Sequence, residues 1–177
     1  MDRTNHYEQA FEEFLRARRT AYVAIDEARR SLIADTSVKS LDFIVTSTQG
    51  ISWLVDVKGR HFPTGERQST RGGPSTRGGQ YWKNWSTRDD LVSLSRWEQL
   101  FGERFRGLFV FAYEVLGDRA PLAVEELFTF RDRQYGFLAV RLEQYACFAR
   151  TISPRWDTVA VSARRFRELA EPFDRLL

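Results

Sequence analysis

Lysine is scarce in this sequence: only three of its 27 basic side chains are lysines, Lys39, Lys58 and Lys83. Cysteine is scarcer still. A lone Cys147 excludes an intramolecular disulfide and, with only two histidines in the chain, gives no Cys/His zinc pattern. It lies in an apolar run read as helical, so a buried, inert thiol is expected there. Long apolar runs are missing too. The longest, Leu108 to Tyr113, falls far short of the ~20 residues that a spanning helix needs. The polar start carries no secretory pattern, and a cytoplasmic location with no membrane partner is the expectation. No glycine-rich stretch ends in Gly-Lys-Ser/Thr, which argues against a nucleotide-binding P-loop.

What is present is apolar and aromatic. Of the 177 residues 42% are hydrophobic and 14% aromatic, enough for a real core in a single domain over residues 1–177. Charge is unevenly placed. Residues 59–86 carry a net +4, while the whole chain carries +3. That stretch also repeats Ser-Thr-Arg-Gly-Gly at 69–73 and 75–79. It reads as a flexible, basic, glycine-rich loop, and a basic loop on a near-neutral body suits a polyanion. Tyr81, Trp82 and Trp85 follow it. The two tryptophans are expected mainly in the core, with stacking on unpaired bases as the functional alternative.

Periodicity supplies the elements. Tyr7, Ala10, Phe11 and Phe14 share one face of a helix over 5–18, capped by Asn5. Glu8 falls on the rim of that face. Strands are expected at 21–25, 41–46 and 51–57, the last two joined by the turn Ser47 to Gly50 as an antiparallel hairpin. Gly59 is expected to end the third strand. Thr87-Arg88-Asp89-Asp90 has the form of a capping box, and the helix it opens stops at Gly102. Residues 108–115 suit a central strand. Further on, a strand is expected at 127–130, a helix at 137–148, a strand at 157–161 and a closing helix at 162–171.

The chemistry concentrates on Asp56-Val57-Lys58. Alternation puts Asp56 and Lys58 on one face, about 7 Å apart along the strand. A carboxylate can hold a hard cation, and a lysine beside it can steady or deprotonate a water. The hairpin brings Asp42 to the same end as Asp56. Asp89 and Asp90 are read as helix-capping acids.

Glu8 in a first helix, Asp42, and Asp56-Val57-Lys58, in the order αβββαβ over roughly residues 5–116, resemble the PD-(D/E)xK nuclease superfamily. The placement of Glu8 is similar to that of archaeal Holliday-junction resolvases. His6-Tyr7-Glu8-Gln9-Ala10-Phe11-Glu12, Lys39-Ser40-Leu41-Asp42 and Val55-Asp56-Val57-Lys58-Gly59-Arg60 resemble the uncharacterised HYExAFE family. Leu41 stands where the superfamily often has proline. The resemblance implies a restriction-endonuclease-like α/β fold: an αβββαβ core with a mixed central sheet flanked by helices, and a C-terminal α/β extension. It implies a metal-dependent nuclease that hydrolyses phosphodiester bonds in DNA, branched and damaged forms included. Asp42, Asp56, Glu8 and the Val57 carbonyl would hold Mg²⁺ or Mn²⁺, and Lys58 would serve the attacking water. Arg60, Arg71, Arg77 and Lys83 would meet phosphates, and a homodimer would follow by analogy. The alternative is a non-catalytic nucleic-acid-binding or protein-interaction module on the same fold.

Overall fold

The computed structural model describes residues 5–25, 38–48, 50–62 and 82–177. Helix α1 spans His6–Ala17, with the Asn5 side chain accepting from the Tyr7 N–H as its N-cap. Its apolar stripe, Ala10, Phe11, Phe14 and Leu15, is buried. Strands β1 (Tyr22–Ala24), β2 (Phe43–Thr46) and β3 (Ser52–Phe62) follow. After the two-residue β4 (Ser86–Thr87), helix α2 runs Arg88–Phe101 behind the expected capping box of Thr87 and Asp90. Gly102, at φ 87°, ends it in a backbone region that residues with a β-carbon rarely adopt.

Strand β5 (Phe105–Val115) is the spine of the fold. It pairs parallel with β3, while its other neighbour, β7 (Arg133–Arg141), is antiparallel. The main sheet has seven strands in the order β1-β2-β3-β5-β7-β10, with β6 (Phe128–Phe130) beside β7 and β10 at Glu171–Pro172. A small second sheet sets β4 beside β9 (Thr158–Ala160) and β8 (Arg150–Ser153). Helices α3 (Leu142–Phe148) and α4 (Ala163–Leu169) complete the extension.

Alternation along the central strands builds two cores. Val55, Val57, Val110 and Phe137 pack toward α1 with Phe11 and Phe14. Leu54, Phe109, Phe111 and Val140 pack on the opposite side with Leu94 of α2, Tyr145 of α3 and Phe166 of α4. Asp56, Lys58 and Arg60 alternate with the first set, so they point to the α2 side.

Several expectations change. β3 does not stop at Gly59 but runs on to Phe62, paired throughout with β5. The glycine serves packing instead: a β-carbon at 59 would run into the ring of Tyr7, so its absence lets α1 lie against the strand. The loop expected over 59–86 is corrected at its two ends. Residues 59–62 are strand, Trp82 packs against the core and Asn84 is buried, while residues 63–81 lie outside those described. The expected helix over 137–148 is half wrong. Its first part is β7, because Phe137 to Val140 must fill both cores between β5 and β10, and the helix begins only at Leu142. Cys147 is exposed, on the outer side of this short α3.

Candidate active site

The β2–β3 register fixes the acids. Phe43 pairs with Val55, so one step further Asp42 comes opposite Asp56. The Asp42 N–H donates to the Val55 carbonyl at 2.9 Å, and its Oδ2 accepts the Val57 N–H at 2.7 Å. Asp42 thus closes the hairpin ladder with its side chain where β2 has already ended. Its carboxyl is buried and pushed well above the usual carboxylate range, by burial first and then by the charges of Asp56 and Glu8. Of the expected acids, Asp42 is the one whose carboxyl is influenced by both of the others.

Lys58 is the hub on the α2 side. Its ammonium lies 2.8 Å from Asp56 Oδ1 and 3.1 Å from Asp90 Oδ2. Burial works to lower its pKa, but the two carboxylates outweigh burial and hold it above the ordinary lysine value. Lys58 is therefore a fixed positive charge. Asp56 is raised by burial, with Lys58 opposing the shift.

Asp90 was expected only as a helix cap, and it does cap. Its Oδ2 accepts from the Thr87 N–H at 2.9 Å and from Ser86 Oγ at 2.8 Å. It also binds both lysines, with Lys39 Nζ 3.0 Å from Oδ1. Burial would raise this carboxyl, yet Lys58, the Thr87 amide and Lys39 together hold it well below the usual range. Lys39 reaches Asp89 as well, at 3.3 Å. Asp90 and Lys39 are thus members of the site that sequence reasoning left out. The signal was available in the scarcity of lysine: two of only three meet on one carboxylate. A void of about 10 Å³ bounded by Lys39, Asp56, Asp90 and Trp97 is at the lower limit for one water.

Glu8 approaches from α1, whose seat against Gly59 sets its position. Asn5 Nδ2 donates to Glu8 Oε1 at 2.6 Å. Val57 brings its N–H to Asp42 and its side chain to the core. Arg60 is engaged internally. Its guanidinium stacks 3.7 Å from the Trp85 ring centroid and donates to the carbonyls of Gly59 and Trp85, while its Nε is buried without a partner. The side chain of Lys83 is exposed, and its carbonyl accepts from the Tyr113 hydroxyl. Arg71 and Arg77 lie outside the described residues.

The donor set suits a hard cation. Carboxylate oxygens are its ligands, and positive charge near Asp42 would relieve a carboxyl now crowded by two acids. Among the described residues no three His, Cys, Asp or Glu side chains form a ready cage. Mg²⁺ does not demand one, since it is usually held by one or two carboxylates together with waters and substrate phosphates.

Element order and strand pairing define a restriction-endonuclease-like mixed α/β fold with a mixed central sheet and helices on both sides. Among solved structures it is similar to the Holliday junction resolvase Hjc of Archaeoglobus fulgidus, an archaeal hyperthermophile. The TM-score is 0.53 over 96% of each chain at 10% sequence identity, a likeness of fold. No protein-family model matches the chain. A comparison with curated proteins finds no match either. No helix among the described residues is long and apolar enough to cross a membrane.

Proposed function

We propose that this chain is a metal-dependent nuclease acting on DNA phosphodiester bonds, with Asp42, Asp56, Lys58 and Glu8 as its working residues. One observation carries the reading: the Asp56–Lys58 ion pair stands opposite the buried Asp42, which accepts the Val57 N–H at the end of the adjoining strand, in a fold similar to that of a junction resolvase. The opening His6-Tyr7-Glu8 supports grouping the chain with the HYExAFE proteins.

Asp42 and Asp56, with Glu8 and the Val57 carbonyl, would hold Mg²⁺ or Mn²⁺. When bound, such a cation polarises a phosphoryl oxygen and lowers the pKa of a water. Asp42 binds a cation as the carboxylate, so its raised pKa works against binding in acid. Lys58, held protonated by Asp56 and Asp90, acts by charge: it orients the attacking water or a phosphate oxygen and offsets the negative charge that develops. Asp90 positions that ammonium, and Lys39 in turn steadies Asp90. Lys83, with Arg71 and Arg77, meets the DNA backbone. Arg60 takes the same role only by exchanging its present carbonyl partners. Branched and damaged DNA, and a homodimeric assembly, extend the same reading.

A second reading has its own support. Lys58 is already balanced by two carboxylates, a closed network that also suits a non-catalytic nucleic-acid-binding module. Incubation of branched, single-stranded and duplex DNA with Mg²⁺ or Mn²⁺ separates the two. Cleavage that disappears in Asp56→Ala and Lys58→Ala supports the enzyme. Salt-sensitive binding with no cleavage in either metal supports the module.

A further inference from the structure

The small second sheet carries a feature that the proposed chemistry does not use. An open cleft of about 450 Å³ is lined by Trp85, Thr87, Ile152, Trp156 and Thr158. That volume falls in the ~300–1,000 Å³ range of small-ligand sites. Its walls are aromatic and exposed: Trp156 is 69% accessible, Ile152 58% and Trp85 42%. Tryptophans left open on an otherwise well-filled fold need a reason, because their rings are among the largest apolar surfaces a chain can bury. Trp82, three residues earlier, is by contrast packed against Phe62, Tyr113 and Phe166.

The surroundings are cationic. Arg60 covers one face of Trp85, and the Arg155 guanidinium lies 5.2 Å from the Trp156 ring centroid. Arg88 stands at the edge, donating to Thr151 and to Asp157, so that the nearby carboxylate is already neutralised. Flat aromatic faces interleaved with guanidinium groups match one ligand chemistry, a base with its phosphate.

The cleft also adjoins the carboxylate–lysine site. Asp56, Lys58 and Arg60 follow one another at about 7 Å steps along one face of β3, and Arg60 ends on Trp85. Thr87 lines the cleft while its hydroxyl accepts from Lys39 and from the Asp90 N–H.

We propose that the Trp85–Trp156 cleft stacks an unpaired nucleobase of a DNA strand whose backbone passes the Asp56–Lys58 site. This rests on the nuclease reading only for what lies beside the cleft, and it narrows the substrate to DNA with unpaired bases next to the phosphate attacked. Trp156 is the principal shelf because it is the more exposed ring, and Arg155 meets a flanking phosphate.

The test measures binding without turnover. Fluorescence anisotropy in EDTA compares a labelled oligothymidylate, an abasic strand of equal length and a blunt duplex, against wild type, Trp156→Ala, Trp156→Phe and Trp85→Ala. Wild type is expected to favour oligothymidylate over the abasic strand. Trp156→Ala should weaken oligothymidylate about 5- to 150-fold, the range for one stacked base, and leave the abasic strand nearly unchanged. Trp156→Phe should retain most of the affinity. An unchanged thermal melt for Trp156→Ala shows that the loss is not one of folding.

Equal weakening of all three ligands, no weakening of any, or no binding by wild type overturns the proposal. So does a Trp156→Ala variant whose sedimentation shows a dissociated oligomer, since the cleft would then cover a second copy. The two readings fail separately. Base-dependent binding without cleavage in Mg²⁺ keeps the cleft and removes the nuclease. Cleavage without base dependence does the reverse.

Discussion

Strand β3 carries two polar clusters on opposite faces, and they are built differently. On the α2 side Lys58, Asp56, Asp90 and Lys39 form a chain of alternating charge in which Lys58, Asp56 and Asp90 are each mostly buried. On the α1 side the buried Glu114 of β5 is paired with Arg133 at 3.1 Å and His61 at 3.4 Å, whose side chains are largely exposed. His6 lies against the Tyr135 hydroxyl at 2.9 Å beside it, and burial followed by the Glu114 charge pushes the neighbouring Tyr7 hydroxyl up to about 12. Charges held from both sides in a dry place keep their positions, while a carboxylate whose partners reach out into water gains little from them. The first arrangement suits positioning a reacting group. The second suits closing the end of a sheet.

The comparison breaks most visibly in catalysis. Under the nuclease reading, Asp56→Ala or Lys58→Ala should lower cleavage about 100-fold or more, the scale for losing a preorganised charge at a reacting centre. Glu114→Gln should leave the rate near that of wild type. Equal losses at both clusters, measured as single-turnover rates, would erase the distinction.

Stability should follow the same order. Asp90→Ala removes a helix cap and takes one carboxylate partner from each of two lysines, for a loss of about 1–3 kcal/mol by urea melts. The effect has a sign in pH. Because Asp90 is held below its unfolded value, its contribution is complete above about pH 4 and disappears as pH falls toward the folded pKa. The wild-type and Asp90→Asn melting curves should therefore converge in acid. Asp42 has the opposite sign. Its folded pKa is raised, so its contribution is present in acid and lost as pH climbs from about 4 through the folded value. Asp42→Asn should abolish cleavage yet raise the metal-free Tm at neutral pH, read by thermal melts. The same raised pKa predicts that Mg²⁺ affinity falls as pH is lowered, measured by calorimetric titration across pH. Smallest of all, Glu114→Gln should change stability by less than about 1 kcal/mol, since its partners are exposed.

Much of this fold was readable before any coordinates. The stripe of α1, the capping box of α2 and the β2–β3 hairpin are local patterns, and local patterns survive in a linear string. Asp42 and Asp56 could be paired because a short turn leaves little choice of register. What stayed hidden depended on distant neighbours. Residues 137–140 are apolar enough for either a strand or a helix, and only the need to cover β5 on its far side decides for β7. Gly59 looked like a stop because glycine weakens strands, whereas its reason lies in a ring arriving from α1. Asp90 had a sufficient local explanation as a cap, which masked its second partner on β3. Trp82 and Trp85 stand three residues apart, and only the path of the chain sends one ring inward and the other outward.

The bare α-carbon at position 59 has one more consequence. Tyr7 and Glu8 are adjacent on α1, so whatever lifts the tyrosine ring off the strand lifts the acid with it. A single methyl group, introduced by Gly59→Ala, would push Tyr7, and Glu8 with it, off the strand without adding or removing any ionisable group. Reach and chemistry, which side-chain substitutions always alter together, could there be varied one at a time.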